Sequence, residues 1–174
     1  MKDAYGREIR YLRISVTDRC NLRCKYCMPH GIECVEHKDI LSFEEIRQIA
    51  VCGAKLGITK IRLTGGEPLA RKGCPQLIRM LKEIPGIEKV AMTTNGTLVR
   101  AVLPQLVEAG LEEVNISLDT LDAETFAEIT GQDLLPEVLL AIDAALAAGL
   151  KVKVNAVSMP DTDWKRLLTL AKDK

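Results

Sequence analysis

The chain has 174 residues, 47% hydrophobic and 3% aromatic, which is enough apolar material for one domain with a real core. Lysine plus arginine equals aspartate plus glutamate at 24 each, so bulk charge argues against nucleic-acid binding and leaves room for a local basic pocket. No apolar run approaches the roughly 18 residues of a bilayer span, and residues 1–8 lack the apolar segment of a secretory leader, so neither a membrane nor a secreted protein is expected.

A β-rich run ends at Ile14-Ser15-Val16, and a loop follows as far as Leu41. Ser42-Phe43-Glu44-Glu45 reads as a capping box, and Phe43, Ile46, Ile49, Ala50 and Leu56 as the apolar stripe of a helix stopped by Gly57. Lys60-Ile61-Arg62-Leu63-Thr64 reads as a second strand. Leu77, Met80, Leu81 and Ile84 mark a second helix, ended by Pro85-Gly86, and Lys89-Val90-Ala91-Met92-Thr93 a third strand. Val99, Val102, Leu103, Leu106 and Val107 give a third helix closed by Gly110, before a fourth strand, Glu113-Val114-Asn115-Ile116-Ser117. Asp122 caps a short helix through Phe126 and Ile129, and Val138, Leu139, Ile142, Ala145 and Leu146 mark a longer one ending at Gly149. A fifth strand, Lys151-Val152-Lys153-Val154-Asn155-Ala156, precedes a last helix containing Trp164, Leu167, Leu168 and Ala171.

Five strands alternating with about six helices imply right-handed βαβ units, an α/β fold and a parallel sheet. Periodicity alone leaves two architectures open, a doubly wound sheet and a partial α/β barrel. Polar and glycine-rich signals stand at the strands' C-terminal ends: Thr64-Gly65-Gly66-Glu67-Pro68, Thr94-Asn95-Gly96 and Ser117-Leu118-Asp119. Sites in parallel α/β folds are built at that edge. Gly65-Gly66 reads as a tight turn where backbone can approach a ligand, and Ser117 as a hydroxyl that bonds a ligand or caps the next helix. Arg13 and Arg62 each sit between apolar neighbours in strands expected to be apolar on both faces, so each should be paired or line a site.

The first connection, residues 18–41, far exceeds the ~2–6 residues usual for such loops, and overlong loops tend to be functional. It holds Cys20, Cys24 and Cys27 in a C-x3-C-x2-C spacing. In a reducing compartment, clustered cysteines are metal ligands rather than disulfides. Three thiolates can wrap one soft metal centre, and on a four-iron cluster they leave one iron open to a ligand. A zinc site completed by Cys34, His30 or His37 is the rival reading. Arg19, Arg23 and Lys25 are expected to lower the thiol pKa values. Cys52 is expected in the core of the first helix, while Cys34 and Cys74 fall in loops without an assigned role.

C-x3-C-x2-C with an aromatic, Tyr26, before the last cysteine resembles the signature of the radical S-adenosylmethionine (SAM) enzymes. Five ordered blocks narrow the resemblance to the GTP 3′,8-cyclases of molybdenum cofactor biosynthesis. They are residues 11–29, Ile61-Arg62-Leu63-Thr64-Gly65-Gly66-Glu67-Pro68-Leu69, Thr93-Thr94-Asn95-Gly96, Asn115-Ile116-Ser117-Leu118-Asp119-Thr120-Leu121 and Lys153-Val154-Asn155. The resemblance implies a partial (β/α) TIM-like barrel of the radical SAM type. Residues 4–174 would form its core domain, stopping before the family's C-terminal region with a second cluster.

It further implies that Cys20, Cys24 and Cys27 hold a [4Fe–4S] cluster, with Tyr26, Gly65, Gly66, Glu67 and Ser117 at SAM. Arg13, Arg62, Thr93 and Lys153 would contact GTP, with Lys151 competing with Lys153 for register. The implied activity is a lyase-type cyclisation of GTP to (8S)-3′,8-cyclo-7,8-dihydroguanosine 5′-triphosphate through a 5′-deoxyadenosyl radical, weak or absent in this chain alone. A flavodoxin- or ferredoxin-like electron donor, cyclic pyranopterin monophosphate synthase downstream, a homodimer and a cytoplasmic location complete the expectation. Another radical SAM activity, on a peptide or a cofactor, and a non-catalytic iron–sulfur or zinc fragment remain the alternatives.

Overall fold

Five strands, β1 (Tyr11–Ser15), β2 (Lys60–Thr64), β3 (Lys89–Thr94), β4 (Glu113–Ser117) and β5 (Lys151–Asn155), alternate apolar and polar residues along their length. That alternation sorts the sheet into two faces, because successive strand side chains point to opposite sides. Ile61, Leu63, Val90, Met92, Val114 and Ile116 line one face and are fully buried. Arg13, Arg62, Glu113, Asn115 and Lys153 stand at the alternate positions and make the other face polar. The structure, a computed structural model, describes residues 2–31, 35–160 and 162–174.

The strands lie in chain order, β1-β2-β3-β4-β5, all parallel. Each crossover therefore steps in the same direction, and right-handed crossovers then place every connecting helix on one side. A doubly wound sheet would reverse its order at a switch point. The architecture is accordingly a partial (β/α) barrel, and among the described residues the sheet does not close from β5 back to β1. Among the described residues the helices cover one face. The expectation that these strands are apolar on both faces is thus corrected, and the polar face corresponds to a barrel interior.

The helices are α1 (Phe43–Lys55), α2 (Cys74–Lys82), α3 (Val99–Glu108), α4 (Ala123–Thr130), α5 (Leu135–Ala147) and α6 (Trp164–Asp173). Their apolar stripes join the buried strand residues in one core. The capping box is formed: the Glu45 N–H donates to Ser42 Oγ at 3.1 Å, and the Ser42 N–H to Glu45 Oε2 at 2.7 Å. Asp122 caps α4 by accepting the Thr125 N–H at 2.9 Å.

Three expectations fail here. On α1 only Ile46 and Ala50 are buried, while Ile49, Leu56 and Cys52 are exposed. At about 3.6 residues per turn, the six-residue step from Ile46 carries Cys52 to the far side of the helix. The core cysteine is instead Cys74, which opens α2 rather than sitting in a loop and is 1% exposed. Burial pushes its thiol up to about 12. On α6 Leu167 is buried, but Trp164 and Leu168 face outward.

Candidate functional site

The cysteine loop leaves β1 and is fastened to the C-terminal end of each of the next three strands. At β2 the backbones meet directly. The Gly66 N–H donates to Thr17 O at 2.7 Å and the Glu67 N–H to Arg19 O at 2.8 Å. A Cβ on Gly65 would lie 2.5 Å from Thr17 O, and one on Gly66 would lie 2.3 Å from Arg19 O. Only glycine fits at that separation. The close approach read from Gly65-Gly66 is therefore, within the chain, an approach to the cysteine loop itself.

Glu67 carries the fastening onward to β3. Its carboxylate is fully buried and accepts from the Leu69 N–H at 3.0 Å, the Thr94 hydroxyl at 2.8 Å and the Asn95 N–H at 2.7 Å. Burial pushes its pKa up, and those three hydrogen bonds oppose the rise. Asn95 then donates through Nδ2 to Asn21 Oδ1 at 2.9 Å, and Asn21 donates to Thr97 Oγ1 at 2.9 Å. Asn95 Nδ2 also lies 3.9 Å from Cys20 Sγ. Glu67, expected at a cofactor, thus turns its side chain inward.

At β4 the Tyr26 hydroxyl donates to Asp119 Oδ2 at 2.6 Å, and Asp119 Oδ1 accepts the Val157 N–H at 2.8 Å. Burial and the Asp119 charge raise the Tyr26 phenol above its usual pKa. The C-terminus of α4 supplies two more ties, from the Arg23 N–H to Thr130 O at 2.8 Å and from the Lys25 N–H to Ile129 O at 2.9 Å.

The three thiols are free, Cys20 and Cys24 half-buried and Cys27 exposed. Among the described residues no three His, Cys, Asp or Glu side chains close on a single metal ion. Cys24 is pushed up to about 11 by burial, then by the charges of Cys20, Asp119 and Cys27. The expected lowering by neighbouring cations does not occur at Cys24. The Arg23 guanidinium turns to Cys20 O and Leu22 O, and Lys25 faces Glu128 at 3.7 Å. Thiolates that repel one another fit a cationic iron centre, whose charge offsets their repulsion. Of the candidate fourth zinc ligands, His30 is exposed; Cys34 and the His37 side chain lie outside the described residues.

Below this edge the polar face carries a charge cluster. Glu113 is 2% exposed and forms ion pairs with Lys60 at 2.9 Å, with Arg62 and with Lys153 at 3.4 Å. Ala91 stands between Arg62 and Glu113 in the register, and its small methyl lets the pair meet across β3. Burial would raise the Glu113 carboxyl, but hydrogen bonds from Lys60 and Arg62 and their charges hold it down at about 2. Arg62 also points Nη1 at Met92 O and Thr93 Oγ1, each 3.4 Å away. Arg62 is therefore paired inside the chain, whereas Arg13, beside it in the register, is exposed. Lys151 and Lys153 share this face, and Lys153 is the one that pairs with Glu113 and stands beside Asn115. Ser117 lies near the cysteine edge, in register with Asn155.

Glu113 and Lys60 were not singled out in the sequence, and Asn95 was named only within the Thr94-Asn95-Gly96 signal, without a role. The signal for the first two was present: Lys-Ile-Arg-Leu-Thr and Glu-Val-Asn-Ile-Ser alternate strictly, placing Lys60, Arg62 and Glu113 on one face.

Residues 14–173 match the model of the radical SAM superfamily. The chain belongs to the radical SAM superfamily. As a radical SAM protein it takes an iron–sulfur cluster and SAM as cofactors, and the Cys20-Cys24-Cys27 donor set fits that cluster. The GTP 3′,8-cyclase of Pelotomaculum thermopropionicum is 54% identical over 159 residues, covering 90% of this chain and 49% of that protein. The GTP 3′,8-cyclase of Petrotoga mobilis is 48% identical over 179 residues, covering 100% and 55%. The chain thus spans about half the length of the curated relatives it matches. Streptococcus suis SuiB, solved with SAM bound, superposes with a TM-score of 0.75 at 21% identity, covering 94% of this chain and 35% of that one. Among the described residues no helix is long and apolar enough to cross a membrane.

Proposed function

We propose that this radical SAM chain is the cluster-bearing part of a GTP 3′,8-cyclase acting in molybdenum cofactor biosynthesis. The observation that carries the reading is the joining of two sites on one sheet: a three-thiol loop at the C-terminal edge and a cationic patch on the polar face beneath it. Its high identity to GTP 3′,8-cyclases supports the choice of substrate.

The cluster together with SAM supplies one-electron radical chemistry. Cys20, Cys24 and Cys27 would hold the cluster and leave one iron without a protein ligand. Gly65, Gly66, Tyr26 and Ser117 would bind SAM at the strand ends. Glu67 would act there through the backbone it fixes, since its carboxylate is buried. Arg13, Thr93 and Lys153 would receive the triphosphate, and Arg62 would face it from within its pair with Glu113. A flavodoxin- or ferredoxin-like protein would deliver electrons. The product would pass to cyclic pyranopterin monophosphate synthase, in the cytoplasm, with the protein a homodimer.

Calorimetric titration of the anaerobic chain with GTP tests the reading. Binding that weakens about tenfold or more in Arg13→Gln and Lys153→Gln is expected, from the loss of charge-assisted hydrogen bonds. No GTP binding by the wild-type chain would overturn it.

A further inference from the structure

The Glu113 carboxylate sits where an anion would be expected. Lys60, Arg62 and Lys153 converge on it from two strands, and it is the acidic partner in all three ion pairs. Three cations around one anion leave two positive charges unmatched, and Arg13 adds a further exposed cation beside Arg62. The strand alternation brings Glu113 to this face, and Ala91 leaves the gap through which Arg62 reaches it.

We infer that Glu113 is a built-in counter-anion: its carboxylate occupies the seat among Lys60, Arg62 and Lys153 for which a polyphosphate ligand competes. This rests on the reading of the polar face as a triphosphate site and adds a residue that sets its affinity. In the unliganded chain the carboxylate keeps the buried Arg62 guanidinium paired, which a bare cation in that position would not tolerate. When a polyphosphate arrives, its oxygens take over Lys153 and Lys60, the more exposed partners at 49% and 27%, while Arg62 stays anchored. Glu113 therefore weakens anion binding while holding the cations in place, and it favours ligands with enough charge to outcompete it.

The test compares binding of inorganic tripolyphosphate by the wild-type chain and by Glu113→Gln, at low and at high salt. The amide keeps the shape and a hydrogen-bond acceptor for Arg62 but removes the competing charge. Binding about tenfold tighter in the variant, with the gain shrinking at high salt, is the expected result. Wild-type binding with an equal or weaker variant would overturn the counter-anion role alone and leave the triphosphate reading standing. Absence of binding in both would overturn both. Should Glu113→Gln not fold, the wild-type chain still decides. The carbon-13 resonance of the Glu113 carboxylate should move on saturation with tripolyphosphate, and an unmoved resonance at saturation contradicts the proposal.

Discussion

The two ends of the polar face are built by different physics. The cysteine edge is held by hydrogen bonds, with no ion pair among them: the Gly66–Thr17 and Glu67–Arg19 backbone ties, the Asn95–Asn21–Thr97 relay, the α4 carbonyls, and the Glu67 and Asp119 carboxylates accepting from neutral donors. The floor is held by charge, with one carboxylate among three cations. Hydrogen bonds between neutral donors and their acceptors are less sensitive to salt than ion pairs are. Two buried carboxylates show the contrast: Glu67 at the edge is raised by burial, and Glu113 on the floor is lowered by its cations.

The comparison can be broken most forcefully at the edge. Replacing Cys24 with Ser removes one thiolate of three, and reconstituted iron is expected to fall from about four per chain to near zero, read by iron and sulfide analysis. Gly66→Ala forces a Cβ to within 2.3 Å of Arg19 O. Because that atom is backbone, relief requires the loop to shift, and a loss of about 2–4 kcal/mol in denaturant titration with early iron release is expected.

Acid sharpens the contrast. The Glu113 pKa is lowered on folding from 4.5 to about 2, so its stabilisation is complete above pH 4.5 and is lost as pH falls toward 2. Glu113→Gln should flatten that loss in urea midpoints measured across this window. Glu67 works with the opposite sign. Its raised pKa costs stability while it is charged, and the cost is relieved as pH falls through the folded pKa, so Glu67→Gln removes a slope of the other direction. The smallest effect belongs to Tyr26→Phe, which deletes one hydrogen bond to Asp119 at a half-exposed ring. About 1 kcal/mol of stability is expected to go, with iron content unchanged.

Much of this architecture was readable in the chain. Strand and helix positions, the Ser42 and Asp122 caps and the C-x3-C-x2-C loop are local patterns, and local patterns survive folding. What depends on tertiary geometry was less visible. Gly65 and Gly66 announced a close backbone approach, but only the fold reveals that the partner is Thr17–Arg19. Arg62 announced a pairing, but its partner stands 51 residues away and meets it only because β3 lies between them in the register with Ala91 at the crossing point. Cys52 lies on the first helix as expected but faces outward, and Cys74 opens α2 in the core, because the stripe on α1 was drawn too wide and the start of α2 too late. Reading the strands as apolar on both faces hid the polar face, although each strand spells out its alternation.

The most direct test of the account is electron paramagnetic resonance of the anaerobically reconstituted and reduced chain, with and without SAM. The account predicts a [4Fe–4S] signal at about four irons per chain that changes when SAM is added, because three cysteines leave one iron open. A bound zinc ion in place of iron, or a cluster signal that SAM leaves untouched, would contradict it.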